Sequence, residues 1–311
     1  MLLRVVDLFC GGGGAASGLE KLGLIHSLLV DNKEEAVRTC WDNLDKPVRA
    51  IQMDLSKEEC QHRVIRGVHP EDLVWASPPC PLHSKAKTRW TQPAVDGWPW
   101  VMEILRYSMP AGFIIENVPQ APFLQWEKDT QALGYHTRTW TLDAAFLGIP
   151  QHRMRTFLLG WKKPPRRDAL EIPRHPSVSM LEALPWLLNR ECPYSGVNLK
   201  WYSREETLLK AGSKPDLLDK PSPTVTCQEV KGTRASSASL WRFNGGPDRA
   251  SDAAFLGAGL RRLPPKAVAT LQGFPATYRF IGGIAEEYRM IGNAVPPKMA
   301  EVVGLAWLNS R

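Results

Sequence analysis

Several short stretches of this 311-residue chain place reactive side chains at the ends of apolar runs. The first is Asp7-Leu-Phe-Cys-Gly-Gly-Gly-Gly14, where an apolar run passes into a glycine-rich turn and then a helical pattern. Glycines let the backbone approach a ligand closely, and the helix N-terminus that follows favours polar or anionic groups. The spacing is not G-x-G-x-x-G, so the dinucleotide fingerprint is not met, and a tight structural turn explains the glycines as well. About twenty residues on, a second run ends at Asp31, where an acid can bond ribose hydroxyls. A third region ends at Asp54, within Gln52-Met-Asp-Leu55, where a carboxylate can accept from an adenine amino group. Each acid alone reads as a solvated or helix-capping residue. Three such features at successive strand ends carry more weight together.

The fourth run leads into Ser77-Pro-Pro-Cys-Pro-Leu-His-Ser84. Two prolines stiffen the loop and hold Cys80 at the sheet edge, where a thiolate is a covalent nucleophile. The plain alternative is a buried structural cysteine. The fifth run ends in Ile115-Glu-Asn-Val118. Desolvation after an apolar strand can keep the Glu116 carboxyl protonated, ready to donate a proton. The alternative is an ordinary solvated glutamate.

The elements that position these groups follow from periodicity. Strand-like runs are Leu3–Phe9, Ser27–Val30, Leu73–Ala76, Phe113–Ile115 and Thr156–Leu159, alternating with helical stretches Ala15–Leu22, Glu34–Asn43 and Trp98–Tyr107. This alternation predicts a doubly wound α/β fold, a parallel sheet with helices on both faces and ligands at the carboxyl ends of the strands. Trp161–Arg167, with two prolines and four basic residues, reads as a linker. Pro, Ser and Gly then dominate to residue 258, and Lys298–Leu308 reads as a closing helix. The expected division is 1–164, 165–258 and 259–311: a large domain, a small loop-rich one and a segment returning to the first.

Composition narrows the classes. At 43% hydrophobic and 23% charged residues, the chain has material for a sizeable core. No apolar run approaches the ~20 residues of a membrane span. The apolar N-terminus is short and holds Arg4 and Asp7, so it reads as a strand and not a signal peptide. The six cysteines show no metal-ligand spacing, so no metal is expected, and they read as reduced thiols in a cytoplasm. Lys and Arg outnumber Asp and Glu by 39 to 32, a net charge of +7 that suits a polyanion without requiring one.

Taken in order, six segments resemble the C5-cytosine DNA methyltransferase family. They are the Asp7–Gly14 turn, Pro78-Pro79-Cys80, Glu116-Asn117-Val118, Gln151-His-Arg-Met-Arg155, Arg261-Arg-Leu263 through Leu271-Gln-Gly-Phe-Pro275, and Gly292-Asn-Ala-Val-Pro-Pro297. The ordered set is specific where any single motif is not. The resemblance implies a Rossmann-like sheet binding S-adenosylmethionine. Phe9 would stack on its adenine, and Gly11 and Gly13 would approach its methionine end. Asp31 would hold the ribose, with Asp54 on the adenine amino group. Asn293 and Val295 would close the pocket, which Asp7, Leu55 and Pro78 would also line. The family usually has Glu at the ribose position, so Asp31 is a shortened variant. The resemblance also implies that Cys80 attacks cytosine C6, that Glu116 serves N3 and the exocyclic amine, and that Arg155, supported by Arg153, binds near O2. The base must be flipped out of its duplex.

The implied partners are double-stranded DNA and, in a restriction–modification setting, a cognate endonuclease acting independently; a monomer is expected. Ser84, Lys85, Lys87 and Arg89 follow Cys80 and are candidate phosphate contacts. Within 165–258, Thr224, Gln228, Arg234 and Arg242 are candidate readers or phosphate ligands. Pro81 stands where the family usually has Gln, and His83 where an aromatic is usual. A branch of the family methylates transfer RNA and carries Cys-Phe-Thr in its smaller domain; here Cys192 and Cys227 sit in Glu-Cys-Pro and Thr-Cys-Gln. A catalytically inactive DNA-binding relative would be expected to lose Cys80, Glu116 or Arg155, and all three are present.

Overall fold

The computed structural model describes residues 3–45, 49–79, 96–166, 172, 174–185, 220–222, 224–225 and 264–311. Cys80, Pro81, His83, Ser84, Lys85, Lys87, Arg89, Cys192, Cys227, Gln228, Arg234 and Arg242 lie outside the described residues. In chain order the elements are β1 (Arg4–Leu8), α1 (Gly14–Glu20), β2 (Ile25–Asp31), α2 (Glu34–Asn43), β3 (Ala50–Gln52), α3 (Glu58–Ile65), β4 (Leu73–Ala76), α4 (Trp98–Ser108), β5 (Gly112–Asn117), α5 (Phe123–Ala132), β6 (His136–Asp143), a 3₁₀ turn (Ala144–Leu147) and β7 (Met154–Trp161). After these come α6 (Met180–Ala183), α7 (Pro265–Leu271), α8 (Ile284–Asn293) and α9 (Pro297–Asn309).

Seven strands form one sheet in the order β3-β2-β1-β4-β5-β7-β6. Strands β1 to β5 pair in parallel, whereas β7 runs antiparallel to both β5 and β6. The expected parallel sheet is therefore corrected at one edge. A parallel β6–β7 pair would need a crossover element, and the short 144–153 connection supplies only a 3₁₀ turn. Strand β6, His-Thr-Arg-Thr-Trp-Thr-Leu-Asp, has no buried residue along its length, so it lacks the apolar run that marks the other strands. Trp161 is also corrected: it ends β7 at 2% exposure and is no part of a linker.

Alternation along the strands separates two cores. Val6, Leu8, Val30, Val74 and Ile115 pack beneath Val64 of α3, Ile104 of α4 and Trp126 of α5. Val5, Trp75, Ile114 and Phe157 pack beneath Leu19 of α1 and Val303 and Trp307 of α9. Helix α9 is held by a reciprocal pair of indole bonds: Trp307 Nε1 donates to the Gly160 carbonyl at 2.8 Å, and Trp161 Nε1 donates to the Trp307 carbonyl at 3.2 Å. Helix α1 lies so close to this segment that a Cβ at Gly18 would strike the Pro297 carbonyl.

Buried polar bonds fasten the chain's return. Arg153, 1% exposed, donates from Nη1 to the Val225 carbonyl at 3.0 Å. Its Nη2 donates to the carbonyls of Gly292 and Ala294, both at 2.9 Å. Gln151 donates to Gln272 Oε1 and accepts from Val225 N–H, and Gln272 Nε2 donates to the Ala294 carbonyl at 2.8 Å. Four segments distant in sequence thus share one buried network.

Two expectations follow. Arg153→Met keeps the stem but leaves buried carbonyls without donors; the expected loss of unfolding free energy is about 3 kcal/mol, read by denaturant titration. The second concerns His26, whose Nε2 lies 3.0 Å from the Ala16 carbonyl. A carbonyl only accepts, so Nε2 carries the hydrogen of a neutral ring. Burial pushes its pKa down from 6.5 to about 4. The folded value is the lower one, so the unfolded chain binds the extra proton. Stability is complete above about pH 6.5 and is lost, by about 3 kcal/mol, as pH falls toward 4. The slope of unfolding free energy between about pH 6 and 5 should be shallower in His26→Gln by nearly one proton.

Candidate active site

Among the described candidates, Asp7, Phe9, Gly11, Asp31, Pro78 and Glu116 stand along one edge of the sheet, at the carboxyl ends of β1, β2, β4 and β5. Strand reversal brings a further group to that edge. Because β7 is antiparallel, its early residues stand beside the end of β5, with Asn117 opposite Thr156 and Glu116 opposite Phe157. Arg155 thereby reaches Glu116, and its Nε lies 3.0 Å from Oε1. Both side chains are largely buried, at 14% and 8% exposure. Burial lowers the Arg155 pKa while Glu116 opposes the shift. The sequence reading left Glu116 in an apolar setting; it is instead ion-paired.

Beside this pair, Asn117 Nδ2 donates to the Pro78 carbonyl at 3.0 Å, and its Oδ1 accepts from Val118 N–H at 2.8 Å. The end of β5 is thus tied to buried Pro78, two residues before Cys80. Arg153, read from sequence as supporting the Arg155 site, spends its donors on the carbonyls of Val225, Gly292 and Ala294. It positions the polypeptide on which Arg155 stands. Asp143 braces the same stretch: Oδ1 accepts from Arg153 N–H at 2.9 Å, and Oδ2 lies 2.9 Å from His152 Nδ1. Thr224 donates to the His152 carbonyl at 2.7 Å, so its hydroxyl joins the smaller region to this edge.

The glycine turn is strained and braced. Phe9, Gly11 and Gly13 have φ of 61°, 51° and 77°. Left-handed backbone is unusual for Phe and easy for Gly. Asp31 Oδ2 accepts from Gly11 N–H and Oδ1 from Lys33 N–H, both at 2.9 Å. Each oxygen retains a lone pair, and burial raises the Asp31 pKa. Tyr278 donates to the Gly12 carbonyl at 2.7 Å. A Cβ at Gly12 would press on Phe280, one at Gly13 on Tyr278 and one at Gly14 on the Val295 carbonyl, whereas one at Gly11 would meet nothing within 4 Å. Only Gly11 faces open space; the other three back onto the returning segment.

The remaining candidates divide. Asp7 is 1% exposed, and neither carboxyl oxygen has a hydrogen-bond partner among the described residues. Burial, then the charge of Asp31, raises its pKa well above the usual carboxylate range. Half-buried Phe9 stacks on Trp100 with ring centroids 6.3 Å apart. Asp54, two residues beyond β3, is exposed, and bonds from Ser56 lower its pKa. The Leu55 side chain lies in the core, so only its backbone can face a ligand. Val295 is buried against Gly14, and Asn293 is exposed at the end of α8. Asn117 and Gln272 stood within quoted motifs without an assigned role, Tyr278 stood three residues beyond one, and Asp143 had only its place before Ala-Ala-Phe-Leu as a signal. Their partners are distant in sequence.

The family model for C-5 cytosine-specific DNA methylase matches residues 3–308. The Type II methyltransferase M.HgiDI of Herpetosiphon aurantiacus is 26% identical, covering 96% of this chain and 92% of that protein. M.HindV of Haemophilus influenzae, also a Type II methyltransferase, is 27% identical, covering 99% and 97%. Among solved structures, a Spodoptera frugiperda DNMT2 variant superposes with a TM-score of 0.70 at 17% identity, over 98% of this chain and 99% of that one, a likeness of fold. With the family model matched almost end to end, this chain belongs to the C-5 cytosine-specific DNA methylase family.

Proposed function

We propose that the chain transfers a methyl group from S-adenosylmethionine to C5 of a cytosine flipped out of duplex DNA, through a covalent Cys80–C6 bond. The observation that carries this reading is the buried Glu116–Arg155 pair at 3.0 Å, next to the Asn117 bond that anchors Pro78 ahead of Cys80. An acid and a cation held together suit a base with N3 and a 4-amino group on one side and O2 on the other.

The residues present fit the cofactor. Gly11 has open space where a Cβ would stand, and Asp31 keeps an acceptor lone pair on each oxygen for ribose hydroxyls. Asp7 supplies a buried carboxyl without a partner among the described residues, suited to the ammonium of the methionine end. Phe9 offers a ring for the adenine, and Asp54 an exposed acceptor for its amino group. Pro78, Asn293, Val295 and the Leu55 backbone complete the proposed pocket. Bound there, S-adenosylmethionine supplies an electrophilic methyl group.

Cytosine C5 is a weak nucleophile. Addition of the Cys80 thiolate to C6 makes C5 enamine-like, while Glu116 accepts from the exocyclic amine and, once protonated from solvent as the base enters its ion pair, donates that proton to N3. Arg155 binds O2 and offsets developing charge. Once C5 carries the methyl group, its proton leaves to water, Cys80 is eliminated and N3 returns its proton. Arg153 positions Arg155 through the backbone it fastens. Ser84, Lys85, Lys87 and Arg89 would contact phosphates, and Thr224, Gln228, Arg234 and Arg242 would read or position the duplex. The domains would divide at 1–164, 165–258 and 259–311.

Four outcomes are expected. Cys80→Ser should abolish methyl transfer, measured with labelled S-adenosylmethionine and unmethylated duplex; turnover in that variant would refute the covalent step. A duplex with fluorine at the target C5 cannot lose a proton there, so wild-type protein should form an adduct stable to denaturing gel electrophoresis and Cys80→Ser should not. Glu116→Gln should lower kcat by about 10²–10⁴-fold. Asp31→Ala, which removes both the ribose acceptor and the Gly11 brace, should raise KM for S-adenosylmethionine by about tenfold or more.

A further inference from the structure

A second concave site lies away from the catalytic edge, in a cavity of about 250 Å³ lined by Arg4, Arg49, Arg63, Arg66 and His69. Its position follows from the topology. Arg4 opens β1, Arg49 precedes β3, Arg63 lies in the last turn of α3, and Arg66 follows that helix. Five residues of extended chain separate Arg4 from Phe9, about 16 Å along the sheet. Arg4 and Arg49 place one side of the cavity at the amino ends of β1 and β3, away from the Glu116–Arg155 pair, while Ile51 and Met53 carry its wall along β3.

Charge in the cavity is unbalanced. Arg4 pairs with buried Asp72, Nε to Oδ1 at 3.1 Å, and its side chain stays one-third exposed. Arg49, Arg63 and Arg66 are exposed and have no acidic partner among the described residues. A surface arginine in open solvent needs no partner. Three in one concavity repel one another and raise the local positive potential. Leu28, Ile51 and Met53 supply apolar wall, and among the described residues the only ring in the lining is the His69 imidazole. Among the described residues the lining offers a nucleobase no aromatic stacking platform, whereas guanidinium forks match phosphate oxygens.

We propose that this cavity binds the oligophosphate group of a small molecule, at a site separate from both cofactor and DNA. Inorganic triphosphate and a nucleoside triphosphate share the recognised chemistry, and recognition by phosphate alone requires that both bind alike.

The test is isothermal titration calorimetry of the full chain with inorganic triphosphate at low salt, in the presence of saturating duplex DNA. One-to-one binding is expected, matched by a nucleoside triphosphate, and weakened about tenfold or more in Arg63→Gln/Arg66→Gln. Arg38→Gln/Arg106→Gln removes the same charge from exposed positions on α2 and α4 and should change affinity less than about twofold. Circular dichroism and an unchanged Tm establish that both variants fold. The proposal is overturned if triphosphate does not bind, if DNA displaces it, if only the nucleoside form binds, or if the two double variants weaken binding equally. An Arg63→Gln/Arg66→Gln variant that fails to fold leaves the decision to wild-type binding under DNA and to Arg49→Gln, whose residue lies outside any helix or strand.

Discussion

A glycine turn with three of its four glycines packed from behind needs something rigid to pack against. Here that backing is the segment 278–297, which the chain reaches only after more than a hundred intervening residues. Tyr278 donates to Gly12, the Val295 carbonyl fills the space beside Gly14, and Pro297 lies against Gly18. Arg153 and Gln272 hold this segment by buried bonds to the carbonyls of Gly292 and Ala294, and Gln151 donates to Gln272 and accepts from Val225 N–H. A buried guanidinium is tolerable because its donors meet carbonyls, and for the same reason the network admits few substitutes. The cofactor face of the turn depends on this packing, because Gly11 can face open space only if Gly12, Gly13 and Gly14 are fixed behind it.

The second constraint is the direction of β7. Had it run parallel to β5, Arg155 would stand at the opposite edge from Glu116. Antiparallel pairing returns the Gln151–Arg155 segment to the edge where β1 to β5 deliver their own groups. Asp143 then caps the 3₁₀ turn between β6 and β7 and accepts from Arg153 N–H, so the same short connection that reverses the strand also aims its first residues. Arg155 and Glu116 can be buried because each neutralises the other; either alone in that place would be costly.

Much of the frame was legible. Leu73–Ala76 and Glu34–Asn43 coincide with β4 and α2, because unbroken apolar strands and amphipathic helices leave strong periodic signals. Strand β6 escaped because its residues are half-buried or exposed, without an apolar run. Trp161 was misjudged because the basic, proline-rich residues after it dominate the local composition, while its indole is buried against α9. Asp54 and Leu55 show the converse limit. A carboxylate near a strand end reads alike from sequence whether it is open or enclosed, and here Asp54 is exposed while its neighbour is core.

The sequence by itself determined which chemistry was available: a cysteine in a proline-stiffened loop, an acid ending an apolar strand, and glycines opening a helix, in an order that identifies the family. Those are properties of residue type and local spacing, which the chain carries in any conformation. Only the tertiary structure decided that Glu116 faces Arg155, that Arg153 grips backbone, and that one glycine of four is open while three are covered. Each depends on contacts between residues tens to hundreds of positions apart. Such contacts are set by strand direction and by how helices pack on the sheet, and neither leaves a local trace.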